Sequence, residues 1–305
     1  MYCMSFRDVL RAFKTLGPED FRALVGIELA LARYEYAPLE QIYRYSELGV
    51  DSLKFHLNLL LRLGLVKRIA KQQLGYDGYT LNFSGYDCLA LNAFLKSGAL
   101  EFLGEPIGVG KEADVYEGFS ETYGSIAVKF HRLGRISFRG TRRLRGYVGD
   151  RSHISWLYQS RLAAQREYEA LRLLHPHRVS VPKPIAQNRH VVVMGLIEGM
   201  ELRRFRRILK PRLTLLEILA NVRRAYLKAG VIHADLSEYN IILKPNNRIL
   251  IIDWPQYIVR THRNALGALR RDMVNVLSFF NRKFHVKLKI ENVLPYIVGE
   301  KNRIR

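Results

Sequence analysis

The sequence predicts an α+β fold in two units, a small helix-rich domain over 1–96 and a larger two-lobed domain over 97–305, and three observations predict it. Amphipathic helical segments fill the first hundred residues and enclose one short hairpin. From Gly98 onward, short apolar runs at 114–118, 125–130, 191–196 and 249–253 alternate with helical stretches at 156–174 and 214–229, with strand character early and helix later. The 305 residues are enough for two hydrophobic cores.

The N-terminal elements follow from local signals. A helix over 19–33 is opened by Pro18, carries Glu19 and Asp20 in its first turn, and spaces Phe21, Leu24, Val25, Leu29 and Leu31 along it. A short helix fits 38–46. A third runs from Asp51 as N-cap through Leu63, with Leu53, Leu57, Leu60 and Leu61 on one face and Gly64 as the stop. Residues 65–69 read as a strand, Tyr76 to Tyr79 as turn chemistry, 79–81 as the returning strand, and 85–96 as a further helix. Three helices, a hairpin and a helix make a winged helix. Its third helix offers Lys54, His56, Asn58 and Arg62 to a partner, with Lys67, Arg68 and Lys71 near the wing. Such a domain serves either as a nucleic-acid reader or as a protein-docking module.

Charge narrows the partners. Forty-nine Lys and Arg against 28 Asp and Glu give a formal +21, a field that attracts polyanions. The charge is blocked: arginines crowd Arg132–Arg151, and basic residues crowd Arg203–Arg212. No apolar stretch approaches a membrane span; of the polyanions that such a field attracts, nucleic acid and anionic membrane, nucleic acid is the expected partner and no membrane is. The first residues lack a signal peptide's pattern, and two cysteines, Cys3 and Cys88, suit a reducing cytoplasm rather than a disulfide framework.

Chemistry enters with Gly108, Val109, Gly110, Lys111, Glu112, Ala113, Asp114 and Val115. A glycine-rich turn between two strands lets backbone N–H groups reach phosphate oxygens. Glu105 stands where the first glycine of a Walker P-loop would fall, and a strand rather than a helix comes after it, so neither a P-loop nor a dinucleotide fingerprint is present. Lys129 lies inside the alternating apolar strand Ser125–Phe130, where an ammonium needs an anion. A strand lysine of this type grips the α and β phosphates of ATP and pairs with a helix glutamate; Glu167 is the better-placed partner on the 156–174 helix and Glu169 the other. In Ile232–Ile241 an Asp at 235 is followed by Asn240 at the spacing of a kinase catalytic loop. Asp235 can accept a hydroxyl proton or orient the acceptor, and Asn240 can reach a metal on the triphosphate. Asp253 ends the apolar run 249–252, where kinases place a second metal ligand, so Mg²⁺ or Mn²⁺ falls to Asn240 and Asp253. The run Val191–Glu198 supplies a last N-lobe strand and a hinge at 194–198, with Met194 beside the adenine and the Gly195 carbonyl and Ile197 N–H on its edge.

These residues resemble the RIO family of atypical protein kinases. The marks are the sequences at 110–116 and 233–240, and Ile-Asp-Trp-Pro-Gln at 252–256, where ordinary kinases have Asp-Phe-Gly. Residues 270–277 resemble the helix that closes the family's shortened C-lobe, and the resemblance covers nearly the whole chain. The N-terminal domain, with its 76–79 and 85–91 segments, points to the second, winged-helix-bearing subfamily and to its shorter archaeal members. Ala234 and Ala113 depart from that subfamily, the latter removing a hydroxyl near the phosphates. The resemblance implies maturation of the small ribosomal subunit, with the precursor's rRNA met by the winged helix and the Arg-rich segments. It also makes Arg132–Arg151 the family's insertion and Ser137 within it a candidate autophosphorylation site, or an ordinary loop serine. Three activities remain open on these residues: a kinase acting on Ser, an ATPase-type switch whose Asp253 transiently takes the phosphate, and an RNA-binding protein that only senses nucleotide.

Overall fold

The structure is a computed structural model that describes residues 4–134 and 156–304. Ser137 and nearly all of the Arg-rich insertion, from 135 to 155, therefore lie outside the described residues.

The first unit runs α1 (Phe6–Thr15), α2 (Pro18–Ala30), β1 (Ala37–Pro38), α3 (Leu39–Ser46), α4 (Val50–Arg62), β2 (Val66–Ile69), α5 (Lys71–Leu74), β3 (Gly78–Leu81) and α6 (Phe83–Lys96). The three short strands pair antiparallel in the order β1-β3-β2, which is the winged-helix arrangement. Helix α1 is not among the elements that the sequence predicts; Ser5 caps it, its Oγ accepting from Asp8 N. The wing is more than a tight turn, since α5 sits between its strands. Asp51 is not the cap of α4: Gly49 is, with Asp51 inside the first turn, where its charge still suits the helix dipole. The core gathers Leu24, Ile27, Ile42, Leu53, Leu57 and Leu60, the apolar stripes that the helical period sets on one side.

A five-stranded antiparallel sheet comes next, β4 (Phe102–Val109), β5 (Ala113–Ser120), β6 (Gly124–His131), β7 (Pro184–Asn188) and β8 (Val191–Gly195), in the order β4-β5-β6-β8-β7. Period-two alternation along β6 sorts its side chains between two cores. Ile126, Val128 and Phe130 face α6 and pack with its Leu91 and Phe94. Ala127 joins the opposite core with Val192 and Met194. On that side lies α7 (Trp156–Leu174).

The second lobe holds β9 (Met200–Glu201), α8 (Pro211–Arg224), a π-helical turn at Ala225–Ala229, β10 (Val231–Ile232), β11 (Ile241–Leu243), β12 (Ile249–Ile251), β13 (Ile258–Val259), α9 (Ala265–Phe284) and α10 (Ile290–Val298). No helix among the described residues is long and apolar enough to cross a membrane.

Arg132 corrects the reading of the first basic block. It is buried rather than offered to a partner, gripping Asp87 of α6 with Nη1 at 2.6 Å and Nη2 at 2.9 Å, and Asp114 of β5 at 3.2 Å. His190 lies 2.8 Å from the same Asp87 and stacks on Tyr86. With Arg189 paired to Glu28 of α2 and Phe6 stacked on Tyr116, this network fastens the winged helix to the outer face of the sheet. His56 is likewise withdrawn from the partner face of α4, held by Asp20 at 2.7 Å and Glu19 at 2.8 Å. Lys54, Asn58 and Arg62 remain accessible there beside Phe55, and Lys67 and Arg68 on the wing, Arg68 paired with Asp77. The Lys71 side chain lies outside the described part of the structure.

Candidate active site

Lys129 stands on the inner face of β6 because the residues on either side of it, Val128 and Phe130, fill the core under α6. Its Nζ lies 2.8 Å from Glu167 Oε1 and 2.8 Å from Asp253 Oδ1. Glu167, not Glu169, is thus the partner; Glu169 meets the Tyr257 hydroxyl instead, at 3.5 Å. Burial works against the ammonium, yet the Asp253 and Glu167 carboxylates outweigh it and hold the pKa of Lys129 above the ordinary lysine value. Burial would raise Glu167, but Lys129 and His131 together pull it down to about 2. His131 is a site residue that the sequence motifs do not announce. Two positions on from Lys129, it shares its face of the strand, and its Nε2 sits 2.8 Å from Glu167 Oε2.

The two acidic loops are brought together by β11 and β12. The pair Ile241↔Ile251 closes them, and Ile252 N donates to the Asn240 carbonyl at 2.9 Å, one residue before Asp253. The strand itself stops at Ile251. Asp253 takes φ +66°, a left-handed conformation rare outside glycine, as does Ala234 beside Asp235. Arg166 of α7 fixes the segment just after Asp253, donating from Nε to Pro255 O at 2.8 Å and from Nη2 to Tyr257 O. Trp254 is buried against His233, whose Nε2 reaches Ile252 O at 3.0 Å.

Asp235 is partly buried, and that burial, with Asp253 next and Glu112 weaker, raises its pKa against the pull of Arg271. Beneath it lies Asp272 of α9, inside the 270–277 segment but given no role there by the sequence: its two oxygens accept from Ala234 N at 2.8 Å and Leu236 N at 3.1 Å, the amides that flank Asp235. Burial pushes Asp272 up to about 7 despite those two bonds. An acid on the buried side of an apolar helix, between Leu269 and Met273, was the available signal.

Asn240 Nδ2 donates to the Asp235 carbonyl at 2.9 Å, so its amide oxygen is the atom left to face a cation. One amide oxygen and one carboxylate are too few for a closed all-protein cage, but they are the donor set by which Mg²⁺ is held together with substrate phosphates. No group of three or more His, Cys, Asp or Glu is poised for a metal among the described residues.

Above these residues β4 and β5 meet in a turn, with Val109↔Asp114 the last pair and Gly110 N bonded to Ala113 O at 2.8 Å. Gly108, Val109, Lys111, Glu112 and Ala113 form its rim, and Val115 packs against the core below. The Asp114 side chain is committed to Arg132, so only its backbone is available to a phosphate. Met194 is buried at the end of β8, Gly195 N donates to Lys183 O at 2.9 Å, and Ile197 lies just beyond.

Residues 114–293 match the family model described as RIO domain, and residues 13–97 the one described as Rio2, N-terminal. The chain is similar to the RIO-type serine/threonine-protein kinase Rio2 of Methanocaldococcus jannaschii, 39% identical over 88% of this chain and 99% of that protein. It is 34% identical to the serine/threonine-protein kinase rio2 of Schizosaccharomyces pombe, over 93% of this chain and 81% of the relative. Among solved structures, the Rio2 kinase–ADP/Mg²⁺–phosphoaspartate complex of Chaetomium thermophilum superimposes with a TM-score of 0.80 at 32% identity, covering 95% of this chain and 89% of that one.

Proposed function

The chain belongs to the RIO family of atypical kinases and is a serine/threonine protein kinase of that type; on this premise we propose that Lys129, Asp235, Asn240 and Asp253 transfer the ATP γ-phosphoryl group, to a Ser hydroxyl or to Asp253 itself. The observation that carries the assignment is the convergence on Lys129 of Glu167 and Asp253, each at 2.8 Å, with Asn240 tied to both acidic loops.

Lys129 binds the α and β phosphates, and Glu167 keeps its ammonium in place. The amides of 108–114 cover the triphosphate, with Glu112 above Asp235. Met194, Gly195 and Ile197 receive the adenine. Asn240 and Asp253 would hold Mg²⁺ or Mn²⁺, which when bound would supply charge neutralisation of the triphosphate. Asp235, its basicity raised by burial and by Asp253, takes the proton of the attacking Ser hydroxyl. The new P–O bond forms on that oxygen as the bond to the bridging oxygen of ADP breaks.

The second reading is an ATPase in which an Asp253 oxygen attacks the γ-phosphorus, ADP departs, and water later hydrolyses the acyl phosphate. It is favoured by the phosphoaspartate of the C. thermophilum complex and by the 43% exposure of the Asp253 side chain. The setting is maturation of the small ribosomal subunit, with Lys54, Asn58, Arg62, Lys67 and the basic segment around Arg203–Arg212 facing the precursor's rRNA; the +21 charge supports it. Ser137 is the autophosphorylation candidate.

Incubation with γ-labelled ATP, alone and with small-subunit precursor particles, tests both readings. Acid-stable label on serine establishes the kinase, and label lost to hydroxylamine establishes the aspartyl-phosphate ATPase. The absence of both label and phosphate release would contradict the proposal.

A further inference from the structure

The catalytic loop has a second, outward side. Glu238 and Tyr239 lie between Asp235 and Asn240 in sequence, and Tyr239 is 56% exposed. With Arg203, Phe279, Arg282 and Lys283 they line a cleft of about 470 Å³ on the surface of the second lobe. The Arg203 guanidinium lies 4.9 Å from the Tyr239 ring centroid, and the Lys283 ammonium 5.5 Å from that of Phe279. Lys283 Nζ also bonds the Arg203 carbonyl, which draws α9 and the β9 segment together. Arg282 stands 3.9 Å from Glu238, and Arg203 is paired with Glu201. The same basic run leaves the cleft along Arg204, Arg206, Arg207, Lys210 and Arg212, all exposed. Bringing this many cations around two carboxylates is electrostatically unfavourable unless an anion joins them.

We propose that this cleft binds single-stranded RNA, its phosphates on Arg282, Lys283 and the Arg204–Arg212 run, and one base stacked on the Arg203–Tyr239 pair. An exposed aromatic face set among cations, as Tyr239 is while Phe279 is buried, is what an unpaired base uses, since every base offers a π-face and arginine planes stack as well as rings do. An acidic peptide would use the charges and leave the Tyr239 face idle. A duplex presents no free base to Tyr239, which fixes the occupant as unpaired. The inference rests on the reading of the chain as an RNA-facing kinase and deepens it: the RNA met by the Arg203–Arg212 surface is unpaired, with a base on Tyr239 and phosphates on Arg282 and Lys283.

Anisotropy of a labelled oligouridylate on the full chain, titrated with salt, tests it. Tyr239→Ala is expected to weaken binding about tenfold, the loss of one stacked base. Arg282→Ala with Lys283→Ala should weaken it similarly and flatten the log–log salt slope by about 1.4, with autophosphorylation unchanged as evidence of an intact fold. Lys14→Ala with Arg33→Ala, two exposed cations outside every RNA-facing set, should leave oligouridylate binding within about twofold, the error expected for a site elsewhere. Wild-type affinity and slope in both cleft variants would overturn the proposal, as would displacement of the oligouridylate by polyglutamate with no dependence on Tyr239. Failure of the wild type to transfer phosphate would instead bring down the proposed function and leave this binding result standing.

Discussion

His131 Nε2 lies 2.8 Å from Glu167 Oε2, so the carboxylate that positions Lys129 is itself positioned, by a residue two places further along the same strand. With Glu167 held down to about 2 and ionised, its oxygen accepts and the imidazole nitrogen donates.

Removing that donor should loosen Glu167 and thereby the grip on ATP. His131→Ala is expected to raise KM for ATP about tenfold, the worth of one hydrogen bond to a charged group, with a smaller effect on kcat. His131→Gln, whose amide can donate, should restore most of it. Steady-state kinetics over ATP concentration decides. Equal losses in kcat and kcat/KM, unrelieved in the Gln variant, would mean that His131 is only packing.

Acid should weaken the fold through the same carboxylate. The Glu167 pKa is depressed in the folded state, so its contribution is present above about 4.5 and is lost as pH falls towards 2. Asp87, lowered against its burial by Arg132 and His190, adds to the same acid loss. Denaturant titrations between about pH 5 and 2 should show a shallower fall in Glu167→Gln than in the wild type. Parallel curves would refute the linkage.

Asp272 predicts a different kinetic signature. Its carboxylate is engaged by the amides on both sides of Asp235, which makes it a positioning residue for that loop. Asp272→Ala should therefore lower kcat on the order of a hundredfold, the cost of a misplaced catalytic group, with KM for ATP little changed. Its pKa near 7 is raised from the ordinary aspartate value, so its linkage has the opposite sign: stability falls as pH rises from about 4 to 7. Asp272→Asn should remove that part of the slope, which thermal melts across the interval would reveal.

Arg132 links the two domains through a buried pair, and breaking one side of such a pair leaves the other charge unpaired. Arg132→Met is expected to cost about 3–5 kcal/mol. Adding Asp87→Leu should recover part of it, because the carboxylate that both guanidinium Nη atoms grip is then gone. Melting of the single and double variants checks this, and additive losses would contradict it.

The chemistry is legible because it sits in ordered local motifs. Lys129, Asp235, Asn240 and Asp253 each mark the end or interior of a short apolar run, and Glu167 lies on the first long helix after the Lys129 strand. Residues that act by packing against another element are not legible in this way. Arg132 reads as one more arginine of a basic block; only the pairing of β6 with its neighbours and the approach of α6 bury it. His56 reads as a recognition residue, because Asp20 and Glu19 reach it from a helix more than thirty residues earlier. The strand period already puts His131 on the face of Lys129, and the helical period puts Asp272 on the buried side of α9, but neither says what lies opposite.

The most direct test is single-turnover transfer from γ-labelled ATP with Mg²⁺, comparing wild type, Asp235→Ala and Asp253→Ala with nucleotide binding measured in parallel. The arrangement around Lys129 predicts that both variants still bind nucleotide and lose transfer by several orders of magnitude, as expected when positioned charge is removed. Transfer at near wild-type rate in either variant would contradict the assignment of the site.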